Sequence, residues 1–318
     1  MKTVKDLGND IYLMDCYDLQ RTGRTGTYVI KDENNITLIE SSASPSIPYI
    51  LDGLRELNIS PENITYLIVT HIHLDHAGGA GLLLRECPNA NIIVHPNGAR
   101  HLEDPSRLIA GARAVYGDDF NRLFEPIIPI DPSRIIIKKD QETLSLSSKR
   151  TLTFYDTPGH ANHHLSIFDN LSMGIFTGDT AGIYYEELKQ NDIHFYLPST
   201  SPNQFNPEAM IQSLHLYKNL GVKSIYFGHY GMSTQPEEVY NQLTHWIPIF
   251  LEATEEGMKQ GGTFEGQTES VYRLLMNKVR AYLEELQVNI DHPVYEILKL
   301  DLHVSAMGLV DYYRKGNR

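Results

Sequence analysis

A run of apolar and β-branched residues, Ile64-Thr65-Tyr66-Leu67-Ile68-Val69-Thr70, leads without a break into His71-Ile72-His73-Leu74-Asp75-His76. The first part reads as a buried strand. The cluster therefore falls on the loop at the strand's carboxyl end, where open α/β sheets hold ligands. On extended backbone, His71 and His73 are one residue apart and point the same way, while Asp75 and His76 follow closely enough to turn toward a second position. Neutral imidazole suits zinc, iron, manganese or nickel, and a carboxylate adds negative charge that helps to hold a divalent cation.

Single ligands of the same kind recur downstream, each at the end of an expected strand: His160 in Asp156-Thr157-Pro158-Gly159-His160, Asp179 in Thr177-Gly178-Asp179-Thr180, and His229 in Phe227-Gly228-His229. Seven ligands suffice for two metals. The glycine beside each late ligand lets the backbone turn tightly and approach a site closely.

Short β-prone runs at Ile11–Leu13, Thr27–Ile30 and Ile36–Ile39 predict an opening antiparallel meander. A helix over Ser46–Leu57 follows from the spacing of Ile47, Ile50, Leu51, Leu54 and Leu57, with Ser60-Pro61 ending it. Another helix opens at Gly78-Gly79-Ala80-Gly81. Asn91–His95 reads as a strand, and Asn97–Tyr116 as helix broken at Pro105. Thr151–Tyr155, Leu165–Phe168, Met173–Thr177 and Ser224–Phe227 read as further strands, with a helix over Pro207–Leu220. After Pro236 the periodicity turns helical, through Val239, Leu243, Trp246, Leu274, Val279, Leu283 and Leu286. This divides the chain into a main domain over 1–235 and a helical extension over 236–318. The extension is equally suited to covering the core and to substrate binding or homodimer formation.

The 318 residues are 41% hydrophobic and 21% charged, an ordinary globular balance with ample material for a core. A formal net charge of -13 with no long basic run disfavours nucleic acid and points to a small-molecule substrate. Cys16 and Cys87 are too few for a disulfide framework. The amino terminus has no apolar core with a cleavage site, and no apolar run reaches membrane-spanning length, so a cytoplasmic protein is expected.

The motif, followed by His160, Asp179 and His229, resembles that of the metallo-β-lactamase-fold superfamily, over roughly residues 10 to 232. The ligand set is similar to that of hydroxyacylglutathione hydrolases (glyoxalase II), and the phrases around His160 and Asp179 look most like the little-characterised ST1585-like branch. The resemblance implies an α/β (α+β) fold, a four-layer αβ/βα sandwich of two mixed sheets followed by the helical extension. It also implies that His71, His73 and His160 bind one metal, that Asp75, His76 and His229 bind the other, and that Asp179 bridges them.

These implications define an enzyme: a dinuclear metal-dependent hydrolase of a small ester-like substrate, whether thioester, lactone or a related acyl compound. A metal-bridging hydroxide would be the nucleophile, and Asp75 would orient it or accept its proton. Zinc is the default metal, with iron and manganese accepting similar ligands. The lactonases that the chain resembles carry a tyrosine three residues after the bridging aspartate, where this sequence has Gly182; Tyr184 and Tyr185 are the candidates to replace it. Other readings stay open: a mononuclear iron persulfide dioxygenase, a phosphodiesterase, or a non-catalytic metal-binding protein.

His163 and His164 are expected beside the metal ligands rather than among them, with Ser41, Ser42, Asp156, Thr157 and Thr180 as candidate supporting hydrogen-bond partners. Tyr184, Tyr185, His194, Phe195, Tyr196 and Tyr230 form an aromatic set that is suited to lining a pocket or simply to packing.

Overall fold

Alternate residues along five consecutive strands part to opposite faces of one sheet. The computed structural model describes residues 4–33, 35–200, 202–259 and 261–316. Its first sheet runs in sequence order through β1 (Val4–Asp6), β2 (Ile11–Asp15), β3 (Gly26–Asp32), β4 (Asn35–Ile39), β5 (Ile64–Ile68), β6 (Asn91–Val94) and β7 (Ile135–Ile137). β2 to β4 pair antiparallel, the expected meander, with β1 added antiparallel to β2, and β4 to β7 pair parallel. Met14, Val29, Leu38, Leu67, Ile92 and Val94 enter one apolar core. Their neighbours Leu13, Tyr28, Ile30, Ile39, Ile68 and Ile93 enter another. A pleat of period two with both faces buried requires this near-continuous apolar composition.

The first core is closed by helices: α1 (Ile47–Glu56) through Ile47, Ile50 and Leu54, α3 (Ala80–Glu86) through Ala80, Leu83 and Leu84, and α4 (Pro96–Glu103) through Ala99 and Leu102. The short α2 (Leu74–Ala77) precedes α3. As the sequence predicts, the helix after β6 breaks at Asp104-Pro105, giving α4 and α5 (Ser106–Tyr116); α6 (Phe120–Phe124) follows. The second core lies between the first sheet and a second built from β8 (Thr143–Ser145), β9 (Thr151–Asp156), β10 (Leu165–Asp169) and β11 (Gly174–Gly178), with two late strands. Leu152, Phe154, Leu165, Ile167 and Phe176 supply its side of that core.

After the small antiparallel pair β12 (Ile183–Tyr184) and β13 (Tyr196–Leu197) and helix α7 (Pro207–Asn219), the chain adds β14 (Ser224–Phe227) and β15 (Met232–Ser233) to the second sheet. The spatial order there is β15-β14-β11-β10-β9-β8, and only β11 and β14 pair parallel. Three helices end the chain: α8 (Pro236–Met258), α9 (Phe264–Glu285) and α10 (Val294–Gly316). No helix among the described residues is long and apolar enough to cross a membrane.

The chain divides into two compact units. The first, Met1–Thr157, His163–Gly178 and Asn219–Pro236, holds both large sheets and α1 to α6. The second gathers Pro158–Asn162 and Asp179–Lys218 with the helical segment Glu237–Arg318. Within the second unit, α8 buries Val239, Leu243, Trp246 and Phe250, and α9 buries Val271, Leu275, Val279 and Leu283. The helical spacing keeps each set on one face. Burying each of these side chains stabilises the fold by about 1.5–3 kcal/mol before chain entropy is counted.

Candidate metal centre

The strand β5 ends at Ile68, but Val69 continues its pairing by donating to the carbonyl of Ile93; the chain bends at Thr70 and is extended again at His73 (φ -61°, ψ 151°). Ile72 is buried in the helix-side core, so its neighbours His71 and His73 share the opposite side. Their rings meet edge to face at 4.6 Å between centroids. His73 then begins the helical turn of α2: its carbonyl accepts from the N–H of both His76 and Ala77. The turn buries Leu74 and Ala77 and swings His76 back, 4.1 Å from His71 between ring centroids.

His229 arrives from the far end of β14. The ligand atoms of Asp75, His76 and His229 all lie within 4.8 Å of one another, and Nε2 of His76 and Nε2 of His229 each stand 3.7 Å from Oδ2 of Asp75. Glycine is needed beside this cluster. A Cβ on Gly228 would come within 2.6 Å of Cε1 of His76; one on Gly178, whose φ is +45°, would come within 2.4 Å of the Thr70 hydroxyl.

The carboxyl end of β4 supports this loop through a residue that the sequence did not single out. Glu40 is 2% exposed in a left-handed conformation (φ 69°); its Oε1 accepts from Thr70 N–H at 3.1 Å, and its Oε2 lies 3.4 Å from Nδ1 of His76. Ser41 donates from both its N–H and its hydroxyl to the carbonyl of His76. The only signal for Glu40 in the sequence is a carboxylate directly after the apolar run of β4. Ser42 acts further out, on the hydroxyls of Thr25 and Ser46.

His164 stacks on His71 at 5.1 Å and pairs through Nδ1 with the Thr157 hydroxyl at 3.1 Å; His163 stands edge-on to His73 at 5.4 Å. Asp156 turns away from the cluster, with its half-exposed carboxylate 3.4 Å from Nε2 of His95.

A second carboxylate that the sequence did not reveal is Asp18, buried on the loop between β2 and β3. Burial first, and then the charge of Asp75, push its carboxyl up to about 6, while Arg24 and His229 pull the other way.

His160 and Asp179 belong to the second unit. Gly159 (φ +137°) lets the chain pass so close to α7 that a Cβ would lie 2.5 Å from Cα of Met210. Nδ1 of His160 donates to the carbonyl of Ser199 at 3.0 Å, and the Ser199 hydroxyl donates to Oδ2 of Asp179 at 3.0 Å. Nε2 of His160 stands 3.6 Å from the same carboxylate oxygen.

The aromatic set is buried and packed at most positions. Phe195 and Tyr196 are wholly buried, Phe195 lies against Tyr282 and Trp246, and the Tyr185 hydroxyl donates to Asp301 at 3.1 Å. Tyr184 pairs with Nδ1 of His194 at 3.2 Å. Gly182 admits no tyrosine, since a Cβ there would meet the carbonyl oxygen of Leu197 at 2.3 Å.

Imidazoles and carboxylates set this close, mostly buried and hydrogen-bonded from behind, fit divalent cations. The family model described as metallo-beta-lactamase superfamily matches residues 22–229. The chain therefore belongs to the metallo-β-lactamase superfamily. It is similar to the metallo-beta-lactamase fold-containing protein ST1585 of Sulfurisphaera tokodaii, at 26% identity over 289 residues covering 89% of each chain. The solved structure of ST1585 superposes with a TM-score of 0.66 at 22% identity, covering 95% of this chain and 98% of that one. A second solved structure, the metallo-beta-lactamase family protein TTHA1429 from Thermus thermophilus, gives 0.67 at 15% identity, covering 98% and 95%. An N-acyl homoserine lactonase from a Bacillus species is 26% identical over 207 residues, 61% of this chain and 68% of that one. The likeness to the solved structures shows the fold, mixed sheets with a carboxyl-terminal helical region.

Proposed function

We propose that the chain is a dinuclear metal-dependent hydrolase of a small ester-like substrate, a thioester, lactone or related acyl compound. In this reading His71, His73 and His160 would hold one cation, Asp75, His76 and His229 would hold the other, and Asp179 would serve both. The observation that carries it is the convergence of Asp75, His76 and His229, whose ligand atoms stand within 4.8 Å of one another although His229 lies more than 150 positions beyond the adjacent Asp75 and His76. Divalent cations, when bound, would supply Lewis acidity and lower the pKa of a bound water toward neutral pH. The chain's own contribution is to orient the donors and to exclude competing contacts. Asp75, with its side chain 25% exposed, would help to hold a cation and could also accept a proton from an attacking water. Zinc suits both donor sets.

The homoserine lactonase relative supports an activated acyl substrate. The charge of -13 supports a small molecule over nucleic acid, and the two buried, reduced cysteines support a cytoplasmic setting. Elemental analysis of gently purified protein, combined with a panel of lactones, thioesters, esters and phosphodiesters, tests the whole reading. About two metals per chain with turnover of the acyl compounds is the expected result. A single iron with oxygen consumption would overturn it in favour of persulfide chemistry.

A further inference from the structure

We propose that Ser199 is a positioning residue for the metal centre and that the carboxyl-terminal helices act on the centre through it; this rests on the metal-site reading above. Ser199 makes two hydrogen bonds of opposite sense to two different ligands. Its carbonyl accepts from Nδ1 of His160 at 3.0 Å. A carbonyl can only accept, so the proton sits on Nδ1 and the lone pair on Nε2, the nitrogen aimed at Asp179. Its hydroxyl donates to Oδ2 of Asp179 at 3.0 Å, fixing the rotation of that carboxylate. One residue thus sets the tautomer of one donor and the orientation of the other.

What holds Ser199 is the helical segment. On its amino-terminal side, the N–H of Tyr196 donates to the side-chain carbonyl of Gln242 in α8 at 2.9 Å, and the Gln242 amide donates to the carbonyl of His194 at 2.7 Å. Further back, the Tyr185 hydroxyl is tied to Asp301 in α10. On the carboxyl-terminal side, the Thr200 hydroxyl donates to the carbonyl of Ser305 in α10 at 2.8 Å. Gln242, Asp301, Thr200 and Ser305 are all buried, where little water competes for these bonds. The segment carrying Ser199 is therefore clamped by α8 and α10 on both sides. Two metal donors inherit that rigidity.

The test compares zinc binding, by competition with a chelating indicator, for the wild-type chain, Ser199→Ala, Ser199→Thr and Thr200→Val. Ser199→Ala is expected to weaken one zinc site by about 10- to 100-fold, the range for outer hydrogen bonds to ligands. Its far-UV spectrum and melting temperature should stay close to wild type. Ser199→Thr should restore affinity to within about threefold, because it keeps the hydroxyl. Thr200→Val, which cuts a tie to α10 without touching Ser199, should fall between. Wild-type zinc affinity in Ser199→Ala, or a Thr variant as weak as the Ala variant, would overturn the proposal. His76→Ala separates the two levels: wild type taking up no zinc ends the metal-site reading, whereas a loss in His76→Ala without one in Ser199→Ala ends only the role given to Ser199.

Discussion

Among the proposed ligands Asp75, His76 and His229, Asp75 is the most exposed, 25% at the side chain against 1% and 4% for His76 and His229. The proposed double role, binding a cation and meeting substrate, needs that partial opening. Changing Asp75 to Asn preserves shape and one donor oxygen but removes the base. It should lower kcat by about 10²-fold or more, as loss of general-base catalysis does, with KM moving much less. Unchanged turnover with full metal content would remove the proton role. Glu40 offers a different residue-scale expectation. Glu40→Gln keeps an oxygen for Thr70 N–H but withdraws the charge from beside Nδ1 of His76, so zinc affinity should fall about 10- to 100-fold with little change in fold, as chelator competition would measure. The sequence made the seven proposed ligands legible because donor chemistry is written in residue type. It left Glu40 and Ser199 invisible: Glu40 reaches a backbone 30 residues away, and Ser199 reaches partners 20 and 39 away, distances that no local pattern encodes.

Elements were legible in proportion to their length. β2 to β6, α1 and α7 carry enough residues to display alternation or helical spacing, and the break at Pro105 follows from the imide geometry. β7 and β8, with three residues each, and β12 and β13, with two, are too short to show a period, and only pairing with neighbours makes them strands. The second unit's claim on Pro158–Asn162 and Asp179–Lys218 was equally hidden, since no shift in composition accompanies it. One buried element contact has a clear energetic sign. Arg150 lies just before β9, and its guanidinium makes a two-pronged pair with Asp169 at the end of β10, at 3.0 and 2.7 Å; both side chains are completely buried. Asp169 also accepts from Ser172, tightening the turn into β11. Asp169→Ala would leave a buried guanidinium without its counter-charge and should cost about 3–5 kcal/mol in urea unfolding. A loss below about 1 kcal/mol would mean that water reaches Arg150 and that the second sheet is looser than its burial implies.

Across the whole molecule, thiol and metal chemistry give separate readouts of the same packing. Cys16 and Cys87 sit in the helix-side core, and burial pushes both thiols up to about 12. At pH 8 only about one in 10⁴ is thiolate, so neither should react with a disulfide reagent until denaturant opens the core, when both should react. The metal prediction turns on charge. In the first unit Asp18, Glu40 and Asp75 are gathered near the imidazoles with Arg24 as a nearby cation, within a chain of net charge -13. A divalent cation that binds only the folded chain offsets this excess and stabilises by about 4 kcal/mol at a thousand times its dissociation constant. Chelation should therefore lower the melting temperature by several degrees, and zinc should restore it where sodium chloride of equal ionic strength does not. Because histidine must be neutral to bind, the zinc-dependent part of the shift should be large at pH 7.5 and shrink as the pH falls toward 5. A melting temperature indifferent to chelator at both pH values would mean that these donors are held by protein contacts alone, and the hydrolase reading would fall with the metals.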